Sequence, residues 1–287
     1  MDVPKLPVGR LGEEAFNFVA AHFAGLFALF SLVVTAIEAA FRAVLLFVPA
    51  PVWIVVVALI CWRLVGLRLA AFALGSLFLL LNQGLWGLTM LTLSLVLTST
   101  LIALLIAVPL AILIAENRVV RVISEPILDL IQTMPRFVYL IPAVILLGID
   151  VPPAVFATLT LAVVPPVRVI STGLRQVDPH LVEAVRAYGA SPLQVLFKVK
   201  MPLAIAAIML GVNQCIMMSL SMVVIASLIG ASGLGSEILE ALSSLDAARG
   251  IVASIGIFVL AVLLDRITRA MASHLPGGTG RHFAKGA

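Results

Sequence analysis

The sequence predicts an all-α protein embedded in a membrane, and three observations carry that prediction. The 287 residues are 62% hydrophobic and only 11% charged, far from the usage of soluble domains. Apolar runs of the ~20 residues a helix needs to cross the hydrocarbon layer recur between residues 51 and 267. Lys and Arg also segregate. With the polar stretch at 178–198 taken as cytoplasmic, thirteen of the 18 fall on its side, four on the other, and Arg136 between them; that bias orients membrane helices. The net charge of +4 therefore reads as topology and not as a nucleic-acid surface.

Residues 1–48 form the first unit. Met1 to Arg10 lacks the apolar core of a cleavable signal. At 100° per residue, Glu13, Asn17, Ala24, Ser31, Thr35, Glu38 and Arg42 fall on one narrow stripe of residues 11–47, with apolar residues elsewhere. This favours one long amphipathic helix in the membrane interface. The rival is a true span over 15–37, which would move the N-terminus from outside to inside. Pro49 and Pro51 end the segment. Residues 49–87 then read as two accessory spans, near 51–67 and 69–86, with Arg63 and Arg68 at their turn. Trp53 and Trp86 mark one membrane surface and Trp62 the other.

Residues 88–270 read as a five-span core. The first span covers about 88–115, and Glu116–Arg121 is a charged turn. In 122–149, Ile127–Met134 is helical and Pro135 should kink it by removing a backbone donor. Arg136, just past the kink, is either a pathway charge or an arginine snorkelling to the cytoplasmic interface, and the second is the commoner case. Asp150–Pro153 makes a hairpin into a span at about 153–173. A run over 201–229 is long enough for a tilted span. Gly230, Gly233 and Gly235 bend the chain out of the membrane; no strand precedes them and no Lys follows, so they are no nucleotide loop. A short polar helix or loop at 236–246 and a span at 249–267 complete the core. Residues 271–287, with Gly277, Gly278 and Gly280, form a cytoplasmic tail.

The stretch Asp178–Pro202 is the one island of soluble character inside this core. Asp178 is a good N-cap, and Pro179 suits the first helical position. The helix runs to Tyr188, where Gly189 can take the left-handed turn that ends it. Ser191-Pro192 repeats the start, so a second helix leaves at a new angle.

This stretch resembles the EAA loop of binding-protein-dependent ABC import permeases. Glu183-Ala184-Val185, Gly189 and Val199-Lys200-Met201-Pro202 keep the family spacing, with apolar replacements at Val185, Val199 and Met201. Residues 132–149 and 213–235 look like the glycine betaine/proline branch of those permeases. The resemblance implies the transmembrane domain of a type I ABC importer in a bacterial cytoplasmic membrane, with the C-terminus inside. It also implies a homodimer of this chain with two ATP-binding subunits, which hold ATP and Mg, and a solute-binding protein outside. Glu183, Ala184, Tyr188, Gly189 and Ala190 would then meet the ATPase. The implied cargo is a small methylated amine: glycine betaine, choline, trimethylamine N-oxide or proline betaine.

The residues themselves permit this. No GxxxxGK[ST] loop, HExxH or metal-spaced cysteine pair occurs, so the chain is expected to bind no cofactor and to be no enzyme. Cys61 and Cys215 both lie in apolar runs, against a disulfide. Intramembrane carboxylates for proton coupling are scarce, and only Asp129 comes close. This weighs against a stand-alone secondary carrier; another cargo, or a scaffold without transport, stays as an alternative. Phe137, Tyr139, Met218, Ser221 and Met222 are the candidates for the translocation path. Their competing role is plain packing, since aromatics are common in spans and Met fills irregular gaps.

Overall fold

A computed structural model describes residues 8–274, and all their regular elements are helical. Lys5 and the glycine-bearing part of the tail lie outside the described residues. The expected single N-terminal helix is two, α1 (Val8–His22) and α2 (Ala24–Phe47), broken at Phe23. By length and composition α2 could cross a membrane. Its neighbours, however, lie at the end of the bundle opposite the 178–202 stretch. Ala24, Phe27, Ala28 and Ser31 border Ile145–Leu147, and Phe30 meets Phe156 edge-on at 5.9 Å. Lower down, the buried Glu38 accepts a hydrogen bond from Ser94 at 3.0 Å and pairs with Arg42 at 3.6 Å. Part of the polar stripe thus faces protein, because a buried carboxylate needs a donor and Ser94 supplies one.

The accessory hairpin follows as α3 (Ala50–Leu64) and α4 (Leu67–Asn82), joined through Gly66 at φ +130 with Arg63 and Arg68 exposed. Trp53 Nε1 donates to the Leu45 carbonyl at 3.0 Å and ties the hairpin to α2. Ile54, Cys61, Ala73, Leu77 and Leu80 pack with Val259 and Leu263 of the last helix.

α5 (Trp86–Glu116) is the 31-residue axis of the core. Thr89, Thr92 and Thr98 bond the carbonyl four residues back, at 2.8 to 2.9 Å, which satisfies their hydroxyls without water. The predicted charged turn at its end is a single residue. Asn117 accepts from the amides of Val119 (2.8 Å) and Val120 (3.3 Å) and starts α6 (Arg118–Thr133) at once. α6 folds back on α5, with Leu128 buried against Ala107 and Ile114. At Pro135 the chain turns by 105°. A 3₁₀ turn (Arg136–Tyr139) leads into α7 (Leu140–Leu147).

α8 (Val151–Ala162) and α9 (Val164–Arg175) together make one span-length segment of 25 residues. The polar stretch holds α10 (Pro179–Ala187) and α11 (Pro192–Val195), then a π turn (Leu196–Lys200) and α12 (Met201–Leu203). A break at Ala204 bends the chain by 70° into α13 (Ile205–Ser221). The run at 201–229 is therefore no single helix: it breaks again at Met222 before α14 (Val223–Ser227). α15 (Leu234–Ser244) and α16 (Ala247–His274) close the fold.

Glycines set the closest approaches. A β-carbon on Gly173 of α9 would sit 2.2 Å from Cβ of Ala207 on α13, and one on Gly211 would sit 3.2 Å from Cα of Pro166. Small residues let membrane helices touch backbone to backbone. At the first turn of α15, the Leu234 amide donates to Thr92 Oγ1 at 2.8 Å across the bundle.

Candidate functional site

Two places deserve the name of site: the corner at 178–202 and the point where two broken helices meet. The corner is built as its residues dictate. The Asp178 carboxylate accepts from the His180 amide at 2.9 Å. Gly189 stands at φ +84, where the amides of Gly189 and Ala190 close the turn on the Arg186 and Val185 carbonyls (2.9 and 3.3 Å). Ser191 and Gln194 exchange the two bonds of a capping box, at 2.8 and 3.3 Å.

Among the residues of this corner, Val182, Val195 and Leu196 are buried and anchor it. Glu183, Ala184 and Gly189 are exposed, and Ala190 is half-buried. Tyr188 is 93% exposed, with Leu181, Leu193 and Phe197 also open beside it. Glu183 has no salt-bridge or side-chain hydrogen-bond partner among the described residues. The capped corner thus presents an apolar ridge beside a free carboxylate. Lys200 ties the base of the corner to Glu116 of α5 at 2.6 Å, and nearby Arg168 of α9 pairs with Asp129 of α6 at 2.5 Å. Asp129, the one near-intramembrane carboxylate noted in the sequence, is thus paired and largely exposed.

The second site joins the α6–α7 break to the α13–α14 break. Arg136 Nη1 donates to Ser221 Oγ at 3.1 Å, and Ser221 in turn donates to the Met218 carbonyl at 2.7 Å. Two residues earlier, Ser219 Oγ accepts from Thr100 at 3.3 Å. Thr100 lies halfway along α5, so the Arg136 guanidinium is level with the middle of that helix. Arg136 itself is exposed on the single chain. A hydroxyl on the facing helix holds it.

The five path candidates separate. Phe137 and Ser221 are exposed, Met218 is half-buried, and Met222 is fully buried in the core beside Cys215 and Ala226. The Tyr139 phenol donates to the Ile131 carbonyl at 2.5 Å. In an unbroken helix that carbonyl would take the amide of residue 135, but Pro135 has none. Tyr139 therefore satisfies the group that the kink orphans, a role the sequence reading missed. A Pro followed four residues later by Tyr was the available signal.

Sequence reasoning also missed a polar knot between α13 and α16. Asn213 donates to Asp265 at 2.9 Å and accepts from Thr268 at 2.5 Å, while Arg269 reaches Asp265 at 2.7 Å. Such interhelical bonds hold membrane helices in register. Cys61 and Cys215 are buried free thiols, and no cluster of metal ligands occurs among the described residues.

Comparison with known proteins bears on both sites. Residues 107–275 match the family described as binding-protein-dependent transport system inner membrane component. The chain is 42% identical over 266 residues to the glycine betaine/proline betaine transport system permease protein ProW of Escherichia coli, covering 93% of this chain and 75% of that one. It is 41% identical over 275 residues to the glycine betaine/carnitine transport permease protein GbuB of Listeria monocytogenes, covering 94% and 96%. Among solved structures, a chain of the inward-facing MetNI methionine ABC transporter superposes with a TM-score of 0.58 at 23% identity, covering 67% of this chain and 95% of that one. That likeness speaks for the fold.

Proposed function

This chain belongs to the family of binding-protein-dependent transport system inner membrane components, and from that premise we propose that it carries a small methylated amine osmolyte across a bacterial cytoplasmic membrane. The fold is that of a type I ABC importer permease. The cargo class is glycine betaine, proline betaine, choline or trimethylamine N-oxide, a reading supported by the relatives' transport systems. Two copies of the chain form the pore. A separate pair of ATPase subunits binds ATP and Mg and supplies the energy, and a solute-binding protein delivers cargo from outside. The single observation that carries the coupling half of this proposal is the capped, exposed corner. Glu183, Ala184, Tyr188, Gly189 and Ala190 dock on the ATPase there and transmit its closure to α9 and α13, which flank the loop.

Vesicles holding the full assembly are expected to accumulate a methylated amine only when ATP and the binding protein are both supplied. Uptake of methionine, phosphate or a peptide in its place, with none of any methylated amine, would overturn the cargo and leave the permease standing. Transport by this chain without an ATPase would favour a secondary carrier.

The corner faces the cytoplasm together with the C-terminus, and α1 lies outside. The placement of α2 against the opposite end of the bundle supports that orientation. In a Cys61→Ala, Cys215→Ala background, a membrane-impermeant thiol reagent added to intact cells should label Ser243→Cys and Lys5→Cys but not Ser191→Cys. Label at position 191 with none at 243 would invert the topology.

A further inference from the structure

We infer that Arg136 is the anion-recognising residue of the translocation path, taking the carboxylate of a zwitterionic methylated amine as it passes between the two helix breaks. The inference rests on the proposed cargo class and narrows it to compounds with an anionic end.

Arg136 is exposed on the single chain, level with the middle of α5, and a charge placed between apolar spans persists where it serves a pathway or a partner. No carboxylate partners Arg136 among the described residues, and its one protein bond is to the Ser221 hydroxyl. A guanidinium has five N–H donors in a planar fork, so the remaining ones are open. Two parallel donors in that geometry fit a carboxylate in a bidentate way.

The surroundings suit the other end of the same molecule. Phe137 is 60% exposed next to the arginine and offers an aromatic face for a methylated ammonium. Met218, whose sulfur lies 3.7 Å from Ser221 Oγ, adds a polarisable thioether. A cation without a carboxylate would meet the guanidinium with no compensation, so choline is disfavoured against glycine betaine. Position matters as well. Arg136 and Ser221 each sit at an interruption of a helix, and only a broken helix can turn one segment without dragging the other. The Arg136–Ser221 bond links the two breaks, and a carboxylate that takes over the guanidinium releases it.

The test uses the complete assembly in vesicles with ATP and the binding protein, and measures glycine betaine uptake. Arg136→Cys, in the Cys61→Ala, Cys215→Ala background, should lower kcat for uptake at least tenfold, with KM, which the binding protein sets, unchanged. Treating the introduced thiol with aminoethyl methanethiosulfonate restores a positive charge and should recover much of the rate. The sulfonatoethyl reagent, of similar size and opposite charge, should not. Equal recovery with both reagents, no reaction with either, or full uptake before treatment would each overturn the inference. If Arg136→Cys fails to assemble, Arg136→Lys and Arg136→Gln decide: Lys should retain uptake and Gln lose it, and equal rates would refute the role. A parent assembly that moves no carboxylated methylamine would overturn the cargo reading and this inference together. Parent uptake with indifferent variants overturns this inference alone.

Discussion

Glu183→Lys is expected to abolish ATP-driven uptake while the chain still folds and inserts. Glu183 is exposed on α10 and contacts no other charged side chain among the described residues, so its reversal removes nothing from the fold. Its effect must act on a partner. Breaking one side of a close interfacial charge pair costs about 2–5 kcal/mol, which weakens association at least ~30-fold. The measurement is recovery of the ATPase with the purified permease, alongside uptake. Both should collapse with insertion unchanged. Normal uptake would remove the corner from the coupling role. Gly189→Val tests the same corner through its backbone: at φ +84 a β-carbon adds strain of about 1–2 kcal/mol and should misdirect the ridge without changing its charge.

Gly173→Leu should do the opposite, damaging the fold before it damages any partner contact. A β-carbon there already falls 2.2 Å from Cβ of Ala207, and the neighbouring approach at Gly211 puts Cα of Pro166 at 3.2 Å. None of these atoms belongs to a side chain that can rotate away. α9 and α13 must separate, which costs at least the ~1–3 kcal/mol of an overpacked core. These two helices carry the corner at their ends, so coupling should fail with the packing. The expected result is a lower melting temperature in detergent and a poor yield of assembled complex. Gly75→Leu is the control, because a β-carbon at Gly75 meets nothing within 4 Å. If both variants melt alike, close packing at Gly173 is not what holds the pair.

The apolar segments and the corner were legible because their signals are local. Asp178-Pro179, Gly189 and Ser191-Pro192 act within a few residues, and each does in the fold what its chemistry announces. Pro135 likewise marks its own kink. The break at Met222 carries no such mark. Ser221-Met222-Val223 contains neither Gly nor Pro, and what holds the interruption is tertiary: Arg136 on another segment and the burial of Met222 in the core. The one-residue turn at Asn117 was readable as a cap but was hidden in a run of charges. The stripe on α2 shows a different limit. Periodicity reveals that Glu38 shares a face with Arg42, but not whether headgroups or Ser94 of a neighbouring helix will satisfy it. The same limit hid the purpose of Arg136. Its charge is visible in the sequence; the hydroxyl that holds it lies 85 positions further on.

The bond from the Leu234 amide to Thr92 Oγ1 sets an order on biogenesis. Its two ends are 142 residues apart in the chain. At a synthesis rate of roughly 5–20 residues per second, Thr92 waits about 7–28 seconds for its partner to leave the ribosome. During that interval α5 is already made, and its Thr92 hydroxyl is occupied by the Leu88 carbonyl at 2.9 Å, so it can wait in lipid without an unsatisfied donor. α15 has no such provision for its first amide. It can settle only onto a bundle whose axis is already in place, which makes the last fifth of the chain the closing step of assembly.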